Sequence, residues 1–273
     1  MASQSAIQES LQSYKTTSTV DDFHKQQDIA DTTTGGGDGI GLALVKAVVE
    51  FGGHVAVIDY REVPHLDLCE IQVLHKESRV KYFSVDITNE MLVTKAFDGI
   101  LAEFGRIDGV IACAGVCVEK PFVDHTWEEV VRLQMVNSVG LFFAVQLAVK
   151  AMLKNQPTSG DFTPKGSVIL IGSIATESGV ESQGLTAYSA SKGAANGLLR
   201  GLAVELAPMG IRVNMISPRA HCHRHVYQSI HESSGVGYDH AECCSYGTDG
   251  RSQGSQGCCR LFPVGCIVVY YWK

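Results

Sequence analysis

The chain has 273 residues, of which 45% are hydrophobic and 19% are charged, and its formal net charge is −7. This composition is typical of one large globular domain, and the negative charge argues against nucleic acid as a partner. We expect no membrane partner, because no unbroken apolar run approaches the roughly 20 residues that span a bilayer. The first residues resemble neither a signal peptide nor a transit peptide, which predicts a cytoplasmic protein.

Composition divides the chain into three parts. Residues 1–22 are rich in Ser, Thr and Gln, and we expect them to form a flexible lead. Residues 23–218 form the predicted main domain. Residues 219–273 form an atypical tail, which holds six of the nine cysteines and five of the ten histidines.

Short apolar segments alternate with helical segments along the main domain. Apolar strands of this kind fit a parallel sheet that is covered on both faces. The pattern therefore predicts an α/β fold of the Rossmann type, a doubly wound parallel sheet with helices on both faces. The predicted strands are 54–59, 81–86, 108–115, 166–173 and 211–218, and the predicted helices are 39–52, 90–104, 127–154 and 186–208.

The segment expected to form the first strand is unusually polar. Residues 26–34 read QQDIADTTT, which places Asp28 and Asp31 inside a strand that should be buried. An unpaired carboxylate is expensive to bury. We therefore expect this edge of the sheet, where a nucleotide would bind, to be poorly formed.

A glycine-rich loop opens the first predicted helix. Residues 34–41 read TGGGDGIG, with Gly35, Gly39 and Gly41 in a G-x-x-x-G-x-G spacing. Glycines allow a tight turn and a close backbone approach, and a helix N-terminus offers free N–H groups to a pyrophosphate. The loop indicates dinucleotide binding, with an ordinary connecting loop as the alternative.

Asp59 ends the next predicted strand, at the distance where a carboxylate accepts hydrogen bonds from the adenosine ribose hydroxyls. A carboxylate there also repels a 2′-phosphate, so NAD(H) is favoured over NADP(H). Arg61, two residues further on, weakens this preference. The alternative is a solvated acid at a strand end.

Tyr188 and Lys192 lie four residues apart in the last long predicted helix, so their side chains share a face. A phenol is a poor base at neutral pH, and a nearby ammonium would lower its pKa and make proton transfer practical. Taken alone, the two residues would more often be a surface pair.

The motifs together resemble the classical short-chain dehydrogenase/reductase family. The resemblance is collinear and extends over residues 35–218. The matching segments are TGGGDGIG (34–41), Asp59, VDITN (85–89), ACAG (112–115), VNSVGLF (136–142), IGSIA (171–175), YSASK (188–192) and RVNMISP (212–218).

The resemblance implies catalytic roles for four residues. Tyr188 would exchange a proton with the substrate oxygen, and Lys192 would bind the nicotinamide ribose and lower the pKa of the phenol. Ser173 would hydrogen-bond the substrate oxygen, and Asn137 would hold a water of the proton relay. The alternatives are a Ser that satisfies the end of a strand and an Asn that bends its helix.

The resemblance also implies a set of residues that contact the dinucleotide. Besides the loop glycines, Asp59, Asn137, Tyr188 and Lys192, this set comprises Ile40, Asp86, Ile87, Gly115 and Pro218. Cys113 stands where the family usually has Asn, which would loosen a local hydrogen bond without removing catalysis.

The tail departs from the family after Pro218. Its HCHRH segment (221–225) and cysteine pairs suggest zinc, but no C-x-x-C pair occurs and adjacent cysteines chelate poorly, so we expect no metal site. If the codons of residues 219–273 are read one base later, one permitted translation continues with the family's usual ending. We therefore expect an out-of-frame, disordered tail and the loss of the C-terminal elements of the fold.

The sequence thus predicts an NAD(P)(H)-dependent enzyme that interconverts a small-molecule secondary alcohol and a ketone by hydride transfer. The alternative is a catalytically impaired remnant that still binds dinucleotide. The family forms homo-oligomers, and the altered tail puts that assembly in doubt for this chain. The sequence identifies neither the substrate nor the direction of the reaction.

Overall fold

The computed structural model describes residues 29–155, 165–177 and 183–218, together with the backbone of two short strands at residues 259–261 and 267–271. The predicted lead (1–22) and most of the tail (219–273) lie outside these residues. Their disorder therefore stays a prediction.

Six parallel strands form the sheet that the sequence predicts. They are hydrogen-bonded in the order β3-β2-β1-β4-β5-β6. Strands β2 and β3 lie on one side of β1, and strands β4 to β6 lie on its other side. This reversal creates a crevice between β1 and β4 at the carboxyl ends of the strands. The strands are β1 (Ala30–Thr34), β2 (His54–Asp59), β3 (Val80–Ser84), β4 (Gly109–Ala112), β5 (Gly166–Ile171) and β6 (Ile211–Pro218).

Two short strands of the tail extend this sheet, which the sequence pattern does not predict. β8 (Ile267–Tyr271) pairs antiparallel with β6, and β7 (Cys259–Leu261) pairs antiparallel with β8. The segment reads IVVYY, and such β-branched and aromatic residues favour a strand at an unpaired sheet edge. These two segments thus form strands within a tail for which the sequence predicts disorder.

Helices flank the sheet, and those that were predicted end within two residues of their expected bounds. The helix α2 is the exception, because it buries only Leu68 and Ile71 and so carries little periodic signal. The helices are α1 (Gly39–Glu50), α2 (Leu66–Leu74), α3 (Glu90–Phe104), α4 (Trp127–Gln134), α5 (Leu141–Met152) and α6 (Thr186–Leu206).

The alternating side chains of β2 show how the two faces are filled. Val55 and Val57 point to one face and pack with α1 and α2. Ala56 and Ile58 point to the other face and join a larger core that includes α3, α5 and α6. The helices therefore cover both faces of the sheet, as predicted.

The helical run Trp127–Met152 is, within the described ranges, the one stretch whose length and apolar composition would suit a membrane crossing. No unbroken apolar run is predicted there, because Arg132, Gln134 and Asn137 interrupt it. Its second half, α5, packs on β4 and β5 and buries a row of apolar side chains in the larger core. In this structure the run serves as a core helix.

The first strand forms despite its polar sequence. β1 starts only at Ala30 and pairs along its whole length with β2, and from Asp31 onward with β4. The expectation of a poorly formed edge is therefore wrong, and Asp28 lies outside the described residues. The buried hydroxyls of Thr32 and Thr33 have no hydrogen-bond partner among the described atoms, which destabilises this strand.

Asp31 avoids the middle of the core because it is the second residue of β1. Its half-buried carboxylate lies directly over Gly109 of β4, where any side chain at position 109 would clash. Burial, together with the neighbouring charge of Asp108, raises the pKa of Asp31 to about 7. Asp108 itself is held by the guanidinium of Arg106 at 2.7 Å.

The raised pKa predicts that Asp31→Asn stabilises the protein at neutral and higher pH. The folded state holds the Asp31 proton more tightly than the unfolded chain, so the wild type loses stability as pH rises from about 4 to about 7. We expect the variant to gain about 2 kcal/mol in urea unfolding at about pH 8 and almost nothing at about pH 4.

The matched control is Asp98→Asn, an exposed acid on α3 whose neutralisation should leave stability nearly unchanged. Equal gains for Asp31→Asn at both pH values would contradict the pKa argument. A loss of stability at the higher pH would contradict the placement of the side chain.

Candidate functional site

A groove of about 660 Å³ opens at the carboxyl ends of β1, β2 and β4, where the strand order reverses. A second cavity of about 290 Å³ continues it towards α6. The two cavities share four lining residues, so they form one continuous groove. These residues are Ile40, Cys113, Gly115 and Val116.

The predicted glycine loop closes tightly on the neighbouring strand. Gly35 has a φ of +63°, and a Cβ there would approach the Ala114 backbone to 2.7 Å. A Cβ at Gly41 would collide with the Gly35 carbonyl. The Thr34 hydroxyl accepts hydrogen bonds from the amides of Cys113 and Ala114, each at 3.2 Å. The loop thus leaves open backbone along the groove and admits no side chain at these glycines.

The N-terminus of α1 points its amides into this groove. Asp38 is the N-cap, and its Oδ1 accepts the Gly39 N–H at 2.7 Å. The first intrahelical bond runs from the Leu42 amide to the Asp38 carbonyl at 3.1 Å. The amides of Ile40 and Gly41 precede that bond, so they belong to the positive end of the helix where an anionic group is stabilised.

Asp59 is buried at the end of β2, with 8% of its surface exposed, which excludes the solvated alternative. Its Oδ2 accepts the Gly37 amide at 3.0 Å, and its Oδ1 accepts the Arg61 amide at 3.3 Å. The carboxylate therefore fixes the shape of the glycine loop as well as lining the groove. Arg61 turns its guanidinium to Asp38, at 2.8 Å.

Asp86 and Ile87 line the same end of the groove as Asp59. Asp86 is held by Thr88, whose amide and hydroxyl donate to its Oδ1 at 2.9 and 2.8 Å. Ile87 is buried, and its backbone packs so closely on Gly140 that a Cβ there would come within 2.8 Å of the Ile87 carbonyl. The pair forms a rigid wall after β3.

Ser173, Tyr188, Lys192 and Pro218 line the second cavity, as the resemblance implies. Ser173 caps the short helix Ile174–Thr176, and its hydroxyl accepts the Ala175 amide at 3.2 Å. The same hydroxyl lies near the Tyr188 phenol and acts to lower its pKa. Ser173 and Tyr188 therefore present two polar groups side by side to any molecule in this cavity.

Burial dominates the electrostatics of Tyr188. Burial raises the pKa of its phenol to about 12, and the Ser173 hydroxyl opposes this only in part. The ammonium of Lys192 donates to the Ile171 carbonyl at 2.9 Å. Burial lowers the pKa of Lys192 as well, and only 3% of the residue is exposed.

Asn137 lies behind the groove and holds its wall in place. The residue belongs to a π-helical segment, Met135–Gly140, between α4 and α5, and it is fully buried. Its amide exchanges two 2.8 Å hydrogen bonds with the backbone of Val116 and donates a third, also 2.8 Å, to the Ser191 hydroxyl. The side chain therefore has a positioning role, and π-helical segments often mark functional sites.

The structure brings twelve of the thirteen candidate residues onto one groove and places Asn137 directly behind it. The pattern did not single out several other lining residues, because most of them stand in loops that carry no periodic signal. Asp38 was detectable as an Asp in the N-cap position before a helix. The additional residues include Asp38, Tyr60, Val116, Cys117, Glu119 and Gln183.

Cys113 replaces the expected Asn at the junction of the two cavities. Burial raises the pKa of its thiol to about 11, while the nearby Lys192 opposes the rise. The Cys113 amide donates to the Thr34 carbonyl at 3.2 Å, so the junction keeps its shape with a thiol. Among the described residues, no group of three or more His, Cys, Asp or Glu could hold a metal ion, and HCHRH (221–225) lies outside them.

The model of a family described as short chain dehydrogenase matches residues 32–222. The 3-hydroxyacyl-CoA dehydrogenase type-2 of Bos taurus is 35% identical over 191 residues, which cover 68% of this chain and 70% of the relative. Cyclopentanol dehydrogenase of Comamonas testosteroni is 33% identical over 186 residues, again covering 68% and 70%. The family match contains every candidate site residue.

Solved structures give the same picture of the fold. An NAD⁺-bound xylitol dehydrogenase superposes with a TM-score of 0.62 and 27% identity, covering 71% of each chain. A short-chain type dehydrogenase/reductase from Mycobacterium marinum superposes with a TM-score of 0.65 and 28% identity, covering 72% of this chain and 74% of that one.

The burial of Lys192 predicts that Lys192→Met stabilises the fold while it removes a polar group from the groove. Because the pKa of Lys192 is lowered, its ammonium destabilises the folded state at neutral pH, and this penalty fades as pH rises towards the ordinary pKa of lysine. We expect a gain of about 2 kcal/mol in urea unfolding near neutral pH.

Lys46→Met on the exposed face of α1 is the matched control and should change stability little. Destabilisation by Lys192→Met would show that the ammonium supports the fold. That result would contradict the expectation that the buried ammonium of Lys192 destabilises the folded state.

Proposed function

Because this chain belongs to the short chain dehydrogenase family of oxidoreductases, we propose that it interconverts a secondary alcohol and a ketone with NAD(H). The observation that carries the proposal is the continuity of the groove from Asp59 to Tyr188 through Cys113 and Gly115. Its length and polarity suit an extended dinucleotide with a small substrate at the Tyr188 end. The relatives named cyclopentanol dehydrogenase and xylitol dehydrogenase support a small alcohol.

The described residues fit a nicotinamide dinucleotide. The open amides at Ile40 and Gly41 would hold the pyrophosphate, and the carboxylate of Asp59 would accept hydrogen bonds from the adenosine ribose. Asp86 and Ile87 would flank the adenine, while Gly115 and Pro218 would border the nicotinamide end. When bound, the nicotinamide accepts or donates the hydride at its C4 atom.

The preference for NAD(H) over NADP(H) rests on Asp59. The side chain is buried against the loop, and its two oxygens already accept two amides, so it cannot turn away from an incoming group. A 2′-phosphate at the adenosine ribose would face this fixed negative charge. Repulsion of this kind discriminates against the phosphorylated dinucleotide.

Acid–base chemistry falls to Tyr188. In ketone reduction the carbonyl carbon receives the hydride and the carbonyl oxygen takes the phenol proton, which leaves an alcohol and a phenolate. Ser173 would hold the substrate oxygen beside the phenol, and the ammonium of Lys192 would stabilise the phenolate once charge develops. With a pKa of about 12 the phenol keeps its proton at neutral pH, which suits donation to a ketone.

A second candidate function is dinucleotide binding without turnover. α6 covers one face of β5 and β6, but on the other face Ile169, Asn214 and Ile216 are only half-buried and Arg212 is exposed. The edge of β6 beside the Tyr188 cavity is taken by antiparallel β8. A sheet face that the described residues leave partly exposed, next to the substrate cavity, favours an impaired enzyme.

The change in sequence after Pro218 is best explained by a shift of reading frame, and we propose this origin for residues 219–273. The family match ends at residue 222, close to the point of departure. Sequencing of the transcript across the codons for Pro218 and Arg219 tests it. We expect a one-base change to restore a Gly after Pro218, and an unchanged reading in independent transcripts would contradict the frame shift.

We expect Tyr188→Phe to abolish oxidoreduction while it preserves dinucleotide binding. Removal of a general acid–base typically lowers kcat about a hundredfold to ten-thousandfold. The loss should appear in NADH formation from cyclopentanol or xylitol and in NADH consumption with the matching ketones. The dissociation constant for NADH, measured by fluorescence, should stay within about threefold because the phenol oxygen lies at the substrate end.

Wild-type turnover by Tyr188→Phe would contradict the assigned proton transfer. A wild-type chain that binds NADH but turns over none of these probes would favour the second candidate function. A wild-type chain that binds no dinucleotide would contradict both.

A further inference from the structure

We propose that Asp38 locks Arg61 in a salt bridge that keeps this arginine from binding a 2′-phosphate, so that Asp38 is a second determinant of the preference for NAD(H). The inference rests on the proposed dinucleotide binding. Asp38 directly precedes Gly39 in the glycine loop, and Arg61 lies two residues after Asp59.

The geometry of the pair is well defined. The Arg61 guanidinium donates to Oδ2 of Asp38 at 2.8 Å, and both side chains line the groove beside Asp59. About a third of each side chain is exposed, at 36% and 37%, so the pair lies at the rim where a bound dinucleotide would pass. The contact joins the glycine loop to the end of β2.

Both partners are held from more than one side. The Arg61 amide donates to Asp59, and the Arg61 carbonyl accepts the Tyr82 hydroxyl at 2.7 Å. The other oxygen of Asp38, Oδ1, accepts the Gly39 amide as the N-cap of α1. With its first oxygen bound to the helix, the carboxylate presents its second oxygen to the guanidinium.

The charges of Asp38 and Arg61 also support the salt bridge. The hydrogen bond from Arg61 lowers the pKa of Asp38, and the hydrogen bond to Asp38 raises the pKa of Arg61. Both groups are therefore ionised at neutral pH, and each neutralises the other. A salt bridge at the rim is weak enough to be broken by substitution without loss of the fold.

A free arginine at this position would change the chemistry of the site. The guanidinium fork binds phosphate in a bidentate manner, and an arginine near the ribose is a usual ligand of a 2′-phosphate. The sequence alone leaves Arg61 as an argument for NADP(H). The structure resolves that ambiguity, because the fork is already engaged by Asp38 and a second carboxylate stands beside Asp59.

The test compares four full-length proteins: wild type, Asp38→Asn, Arg61→Ala and the double variant. Asn is as good an N-cap as Asp, so Asp38→Asn keeps the Gly39 hydrogen bond and removes only the charge. Dissociation constants for NADH and NADPH are measured by fluorescence titration at low ionic strength. Thermal unfolding confirms that each variant is folded.

We expect the wild type to bind NADH more tightly than NADPH. Asp38→Asn should tighten NADPH binding about tenfold and leave NADH within about threefold. Arg61→Ala should change NADPH binding little in the wild type, where the arginine is engaged. In the Asp38→Asn background the same change should remove the whole gain.

Three results would overturn the lock. Asp38→Asn could leave NADPH binding unchanged, Arg61→Ala could weaken NADPH binding equally in both backgrounds, or the double variant could retain the gain. If the wild type binds NADH and any of these results follows, only the lock fails. A wild type that binds neither dinucleotide overturns the proposed function and the lock together.

Discussion

The close approach of the glycine loop to the segment that follows β4 is the constraint on which the site depends. Gly35 lies against the Ala114 backbone, and the Thr34 hydroxyl ties β1 to the amides of Cys113 and Ala114. This contact fixes the crevice where the strand order reverses, and it directs the N-terminus of α1 into the groove. Any side chain at Gly35 would separate β1 from β4 and remove the junction that joins the two cavities.

The site and the strand beside it contain groups that weaken the fold. Lys192 is an ammonium in the core, and its hydrogen bond to the Ile171 carbonyl replaces only part of its lost hydration. Thr32 and Thr33 add buried hydroxyls without partners in the described structure. The three hydrogen bonds of Asn137 stabilise the fold instead, because they connect Val116 to the helix that carries Tyr188.

The sequence predicts the layout of the fold, and the residues that it singles out lie along or directly behind one groove, but it does not predict their electrostatics. Short sequence spacings define the glycine loop, Asp59 and the Tyr188–Lys192 pair, so these features can be recognised from the sequence alone. The Asp38–Arg61 bridge joins residues far apart in the sequence, and the raised pKa of Tyr188 arises from burial by several elements, so neither can be seen without coordinates. The strand β8 escapes prediction because the edge of β6 decides its pairing.

The central claim is that one continuous groove holds a nicotinamide dinucleotide with its reactive end at Tyr188. A crystal structure of the full chain with NADH tests this most directly. We predict density with the adenosine ribose hydroxyls on the Asp59 carboxylate, the pyrophosphate at the amides of Ile40 and Gly41, and the nicotinamide ring beside Cys113 and Tyr188. Density elsewhere, or a nicotinamide ring turned away from Tyr188, would contradict the account.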